Sequence, residues 1–219
     1  MEHGTYKVSE ETRERLVNAA GELFSLRGTE AVTLREIADQ AGAVPNAVCY
    51  HFGGKDGLVE AVRQYALRLW DEERLERYFQ ENEALLATKD GRRQMVADTV
   101  DLYFGLLCAD GQPQWVNRFL VRALLTSQWQ GERHEAIARQ LVETFCRIYM
   151  RITGNDDRMT AVCWAMAIIA PGALLAVSEF DFVHFKEGKG IDYAFLRRLQ
   201  ATVTRNALLS LGLAENTTN

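Results

Sequence analysis

An all-α fold is what the sequence predicts, and three observations carry the prediction. Only three prolines occur in 219 residues, which leaves room for long, uninterrupted helices. Apolar residues recur at helical spacing from Leu16 onward. No run of alternating apolar and polar residues demands a strand. A composition of 47% hydrophobic and 25% charged residues fits a globular protein with a sizeable core and argues against disorder, collagen or a disulfide scaffold.

The elements follow in order. Leu16, Ala19, Ala20, Leu23 and Phe24 form one apolar stripe on a first helix, which Ser9 can cap and which Glu10 and Glu11 favour electrostatically at its start. Gly28 ends it. Thr33-Leu-Arg-Glu36 reads as a capping box, opening a short helix that carries Leu34, Ile37, Ala38 and Ala41 and stops at Gly42. A third helix is expected from Val44-Pro45 to Phe52, since proline suits the first helical position, with Gly53-Gly54 as its breaker. A longer fourth helix starts near Lys55, carries Leu58, Ala61, Val62, Tyr65 and Leu69, and is expected to end around residue 81. Five more helices are predicted at 92–109, 114–129, 132–152, 157–182 and 191–212. Between them lie Lys89-Asp-Gly91, Asp110-Gly-Gln-Pro113, Gln130-Gly131, Gly154-Asn-Asp-Asp157 and Lys186-Glu-Gly-Lys-Gly190. That makes about nine helices, without internal repeats or low-complexity segments.

Thr33 to Phe52 is the segment with a specific geometry. Two short helices that cross closely need a small residue at the contact, supplied by Ala38. The turn needs a residue tolerant of positive φ, supplied by Gly42. The second helix must bury an apolar side chain against the first, supplied by Val48. This Ala-x3-Gly-x5-Val spacing is that of a helix-turn-helix whose second helix is sized for the DNA major groove. Plain structural hairpins share it, so the spacing alone leaves both readings open.

Residues 12–71 go further and resemble the DNA-binding domain of the TetR family of one-component bacterial transcriptional regulators. The resemblance runs through Ala19-Ala20, Phe24 and Gly28, then Thr33-x-Arg35-x-Ile37-Ala38-x2-Ala41-Gly42, then Val48-x-Tyr50-His51-Phe52-x2-Lys55-x2-Leu58. The rest of the chain resembles the family in being all-helical with an apolar final pair. The resemblance implies a helix-turn-helix DNA-binding domain over 9–71, with the motif itself at 33–52. A larger helical ligand-binding and dimerisation domain would occupy 72–213, and a polar tail 214–219. The functional boundary is placed inside the fourth helix.

The resemblance also implies site residues. Thr33 and Arg35 fall where the family contacts phosphates. Pro45, Asn46 and Ala47 fall on the exposed first turn of the recognition helix, where base edges are read. Tyr50, His51 and Lys55 match backbone-contacting or framework positions. Asn46 is the one side chain in that turn able to make a two-point contact, best matched to adenine; a simple helix-start role is the alternative. Two departures bear on affinity. Cys49 stands where the family often has a phosphate-contacting tyrosine and makes only weak hydrogen bonds. Val44 replaces the usual polar cap.

Charge weighs against a strong electrostatic grip. The net charge is −5, and residues 1–55 hold six basic against eight acidic side chains, a balance of −2. Arg35 and Lys55 bracket the expected DNA-facing surface, so a lone domain should bind modestly with a shallow salt slope, and two domains in one dimer would compensate.

Other chemistry is not legible. His51 lacks a second metal ligand at suitable spacing, and Asp181-x-x-His184 is a single carboxylate–histidine pair where a di-iron bundle needs two plus further carboxylates. No phosphate loop, nucleophile elbow or H-E-x-x-H occurs. No enzyme activity, cofactor or metal is expected. Cys49, Cys108, Cys146 and Cys163 have no zinc or C-x-x-C spacing and read as reduced thiols. The N-terminus lacks a signal-peptide h-region, so a cytoplasmic protein is expected and Asn216-Thr-Thr is a chance sequon. Ala161–Val177 is uncharged over 17 residues, near the lower limit for a membrane span. A helix buried on every side explains it as well, and no membrane partner is expected.

In the family the last two helices pair with their symmetry mates. The resemblance therefore implies a homodimer through 157–182 and 191–212, two recognition helices about 34–36 Å apart and a pseudo-palindromic double-stranded operator. Tyr103, Trp115, Phe119, Arg122, Phe145, Tyr149 and Trp164, with Arg118 and Gln128 nearby, are the candidate lining of a pocket for a small apolar or amphipathic effector. Together these imply a ligand-responsive, sequence-specific repressor, with activation left open. An all-helical small-molecule-binding protein or enzyme that has lost DNA binding is the competing reading, and a helical protein-interaction module a third.

Overall fold

In the computed structural model, which describes residues 2–71, 73–107, 113–126, 132–177 and 193–214, every regular element is helical. The described residues form α1 (Glu2–Arg27), α2 (Leu34–Ala41), α3 (Ala47–Phe52), α4 (Lys55–Leu69) and α5 (Arg74–Glu81), then a 3-10 turn (Glu83–Ala87). They continue with α6 (Lys89–Leu107), α7 (Trp115–Thr126), α8 (Glu132–Thr153), α9 (Arg158–Val177) and α10 (Tyr193–Ser210). By packing they fall into two compact units, residues 1–71 with 109–128 and residues 72–108 with 129–219.

The all-α expectation holds, and several boundaries move. α1 starts at Glu2, so Ser9 lies inside the helix and does not cap it; no proline before it interrupts the ladder. α3 starts at Ala47 and not at Val44-Pro45. The Ala47 N–H bonds to the Val44 carbonyl at 2.9 Å and Asn46 is already right-handed, so Pro45-Asn46 is a tight turn leading into the helix. The expected fourth helix divides. α4 ends at Leu69, and Trp70 is extended and buried before α5 begins, with no glycine or proline at the break. Lys89-Asp-Gly91 is the first turn of α6 and not a separator. Gly91 is needed there because a Cβ would overlap the Leu85 carbonyl of the 3-10 turn. Asp157 starts α9 as expected, accepting from the Met159 N–H at 3.0 Å. Residues 127–129 and 178–182 of the expected helices lie outside the described residues, as do Gln128, Cys108, the Asp181-x-x-His184 pair, the turns at 110–112, 130–131 and 186–190, and the tail from 215.

In the first unit the stripe of Leu16, Ala19, Ala20 and Phe24 is buried, as are Ile37, Ala38, Val48, Leu58 and Val62, and α1 packs on α2 and α4. α7 packs on α1 in the same unit. Trp115 seats in a notch at Gly21, where a Cβ would lie 2.5 Å from the indole. Its ring stacks on Tyr65 with centroids 5.6 Å apart, and its Nε1–H donates to Asn18 Oδ1 at 3.2 Å. Arg122 donates to the Ser25 and Leu26 carbonyls at 3.1 and 2.8 Å, satisfying acceptors that the last turn of α1 leaves without an intrahelical partner.

In the second unit α9 packs on α6, α8 and α10. Gly172 allows the approach, since a Cβ there would press on Leu107 and Tyr103. The Tyr103 hydroxyl donates to the buried Ile169 carbonyl at 2.7 Å, and Trp164 Nε1–H donates to Ser210 Oγ at 2.9 Å. α9 is long and apolar enough to cross a membrane, with mean hydropathy 2.0 in its most apolar window. It is not buried on every side: Ala161, Trp164, Ala165, Ile168, Ile169, Gly172 and Ala176 are buried, while Met159, Cys163, Met166 and Leu174 are exposed. Leu209 of α10 is exposed as well.

Candidate nucleic-acid interface

The α2–turn–α3 segment is built by short-range forces that the sequence spells out. Thr33 accepts the Glu36 N–H at 3.2 Å, and the Glu36 carboxylate takes the Thr33 N–H at 2.8 Å, a reciprocal capping box. Gly42 is left-handed at φ 61°, and its N–H bonds back to the Ala38 and Asp39 carbonyls. Ala38 and Val48 are both fully buried, which sets the contact between the two helices. Gly53, at φ 72°, closes α3 by donating to the Cys49 carbonyl at 3.0 Å.

That scaffold presents a defined outer surface. Val44, Pro45, Asn46, Cys49 and Tyr50 are exposed, Val44 at 69% and Tyr50 at 80%. Asn46 makes no side-chain capping bond, so its amide is not spent on the helix start. Ala47 departs from the expected exposed position. At 8% exposure it is buried, because the later helix start turns its methyl inward beside Val48. Cys49 is a free, exposed thiol. His51 is half-buried, edge-on to Tyr50 at 4.9 Å, and lines a cleft of about 630 Å³ with Arg13, Glu14, Glu60 and Arg68. Its ring thus faces residues of α1 and α4 across that cleft.

Arg35 is 85% exposed, with Asp39 3.9 Å from its Nε, a loose surface pair. Lys55 Nζ donates to the Glu30 carbonyl at 3.4 Å. Thr33 has its hydroxyl committed to Glu36 at 2.8 Å. One residue that the sequence did not single out is Arg13, whose guanidinium lies 5.3 Å from the Phe52 ring and bridges α1 to α3. Nothing in local spacing marks it, since the contact spans 39 residues.

Glu36 is the perturbed acid of this segment. The Thr33 backbone N–H, the Arg27 guanidinium 2.8 Å away and the Thr33 hydroxyl together hold its carboxyl down to about 2. A carboxyl depressed on folding adds stability above its ordinary value near 4.5 and loses it as the pH falls through about 2. Urea unfolding across that window should show the wild type losing stability more steeply than Glu36→Gln, which starts lower at neutral pH. Parallel curves for the two proteins would contradict the capping assignment.

The candidate effector residues divide between the two units. Trp115, Phe119 and Arg122 belong to the first, where Trp115 and Phe119 are buried and Arg122 holds the end of α1. Tyr103, Phe145, Tyr149 and Trp164 belong to the second and form a chain of rings. Tyr103 to Phe145 is 6.1 Å, Phe145 to Trp164 6.2 Å and Tyr149 to Trp164 5.7 Å. Arg118 is half-buried on α7.

Known proteins give this arrangement its context. Residues 16–62 match the family described as bacterial regulatory proteins, tetR family. The chain is 42% identical over 72 residues to the HTH-type transcriptional regulator SrpR of Pseudomonas putida, covering 32% of this chain and 34% of that protein. Its alignments thus span about a third to a half of the length of such curated relatives. In fold it is similar to a tetR-family regulatory protein from Rhodococcus RHA1, with TM-score 0.54 and 20% identity over 93% of this chain and 98% of that one. It is also similar to AibR, solved in complex with isovaleryl coenzyme A and operator DNA, with TM-score 0.56 and 10% identity over 88% and 96% of the two chains. Residues 16–62 thus match the tetR family of bacterial regulatory proteins, and they stand in a chain whose helical fold is similar to that of solved regulators.

Proposed function

We propose that this chain is a homodimeric, sequence-specific DNA-binding transcriptional regulator, acting in the cytoplasm as a repressor that a small molecule releases from a pseudo-palindromic operator. The observation that carries the reading is the surface of the turn and α3. A short helix is held by the buried Ala38 and Val48 and a left-handed Gly42, and it shows solvent an uncommitted asparagine amide and a tyrosine. Thr33, Arg35, Tyr50 and Lys55 would hold the phosphates. Residues 9–71 would form the reading head and 72–213 the part that dimerises and senses.

Dimerisation is assigned to the exposed side of α9 and α10. Met159, Met166, Leu174 and Leu209 are large apolar side chains left to solvent, and a second copy would bury them in a two-fold interface. The effector is assigned to the ring cluster of Tyr103, Phe145, Tyr149 and Trp164, a lining suited to an apolar or amphipathic small molecule. The acyl-CoA ligand and operator of AibR support the combination, and a relative named as a repressor supports the sign of control. To release DNA, the effector must favour the DNA-free state by about 1.4 kcal/mol for each tenfold loss of affinity.

A gel shift on the DNA flanking the coding sequence tests the reading. The wild type should retard a fragment, Asn46→Ala should lose about ten- to a hundredfold for each half-site, the range of one two-point base contact, and Arg35→Ala should weaken all fragments alike. Full-strength binding by both variants would remove the proposed reading surface.

A further inference from the structure

What the outer surface of α3 can read is limited by what it lacks. From Gln40 to Gly54 the sequence contains no Arg, Lys, Asp or Glu. Arg and Lys are the side chains that match the paired acceptors of guanine, and Asp and Glu those that accept from cytosine. Gln40 has its amide committed to Glu22 Oε2 at 2.6 Å, and His51 is half-buried against Tyr50. The exposed groups that remain beside Tyr50 are the Asn46 amide, the Cys49 thiol, and the Val44 and Pro45 hydrocarbon. Asn matches the donor and acceptor that adenine shows in the major groove, and an apolar group matches the C5-methyl of thymine.

Val44 is the informative residue. The N-cap of α3 is Asn46 and not Val44, contrary to the sequence expectation, so the valine has no place in the helix cap and stands 69% exposed on the turn before it. It lies two residues from Asn46 and is held by the turn whose Ala47 N–H bonds to the Val44 carbonyl. Its branched side chain has no capacity to bind a phosphate. The apolar feature a major groove offers it is the thymine methyl.

We propose that the reading surface is specialised for A·T pairs, with Asn46 pairing an adenine edge and Val44 packing on a thymine methyl in the same half-site. This rests on the DNA-binding reading above and names the bases that reading would select. The low charge of the surface has a consequence here: discrimination comes from a methyl contact and one amide, so each can be removed singly on the DNA side without touching the protein.

The test uses the full chain and a pool of random-sequence duplexes, selected for binding and then resynthesised with single-atom changes. Replacing thymine by deoxyuridine removes only the methyl, and replacing adenine by 7-deazaadenine removes only the N7 acceptor. Selected sequences should carry A·T pairs where the two α3 helices dock. One deoxyuridine in a single half-site should weaken the wild type about fourfold, the size of one methyl-sized apolar contact, and should leave Val44→Ala unaffected. One 7-deazaadenine should weaken the wild type and leave Asn46→Ala unaffected. Thermal melts of both variants should stay near wild type, because both side chains are exposed. Enrichment of G·C pairs at those positions, or equal deoxyuridine losses in wild type and Val44→Ala, would overturn the proposal while leaving DNA binding intact. A pool with no enriched sequence would overturn both.

Discussion

Trp115→Ala is expected to destabilise the first unit by about 3–5 kcal/mol, the range for truncating a buried tryptophan. The indole is 4% exposed and fills the notch at Gly21, stacks on Tyr65 and donates to Asn18, so three contacts to α1 and α4 vanish together. The cavity left behind cannot close easily, because Gly21 has no side chain with which to fill it. Urea unfolding followed by far-ultraviolet circular dichroism measures the loss directly. The same variant separates two roles for this residue. If Trp115 acts through packing, stability falls and Trp115→Phe recovers part of it. Unchanged stability with altered effector affinity would return it to the effector site.

Leu174→Arg is expected to split the proposed dimer without unfolding the chain. Leu174 is 57% exposed in the single chain, so an arginine there reaches water freely and costs the fold little. In a two-fold interface the same side chain would meet its mate and bury two like charges without partners, at a cost of several kcal/mol for each ion. Size-exclusion chromatography should move from the dimer to the monomer position, with the helical signal retained. DNA affinity should fall with it, since one head then binds where two did. A variant that still elutes as a dimer would place the interface elsewhere.

What the sequence disclosed about this molecule was decided by range. The capping box of Thr33 and Glu36, the left-handed Gly42 and the buried Ala38 and Val48 all act within fifteen residues, and each was readable as a spacing. Where the outcome rests on distant partners, spacing gave no sign. Trp70 leaves the helix without any breaker nearby, and Gly91 is required by a carbonyl of the preceding 3-10 turn. Trp115, Phe119 and Arg122 form a stripe whose spacing reads either as core or as pocket lining. Spacing gave no sign that Trp115 seats at Gly21, 94 residues away in sequence, or that Arg122 donates to the end of α1. Ala47 shows the same limit on a smaller scale: a shift of the start of α3 by two or three residues turned its methyl from solvent to core.

The uncharged stretch Ala161–Val177 illustrates how a correct pattern carries an incomplete cause. Apolarity on every face reads equally as a membrane span, a fully enclosed core helix or a helix shared between two copies. Burial in the second unit accounts for one flank, with Trp164, Ile168 and Gly172 turned inward. The other flank, with Met166 and Leu174, is what the proposed dimer covers.

Two reading heads of the proposed dimer should meet one face of the DNA. Hydroxyl-radical footprinting of the wild-type chain on the fragment it retards measures this most directly. Two protected patches on one face of the duplex, with centres about 10–10.5 base pairs apart or a multiple of that, are predicted, together with loss of both patches for Asn46→Ala. A single patch, or two patches that survive Asn46→Ala unchanged, would contradict it.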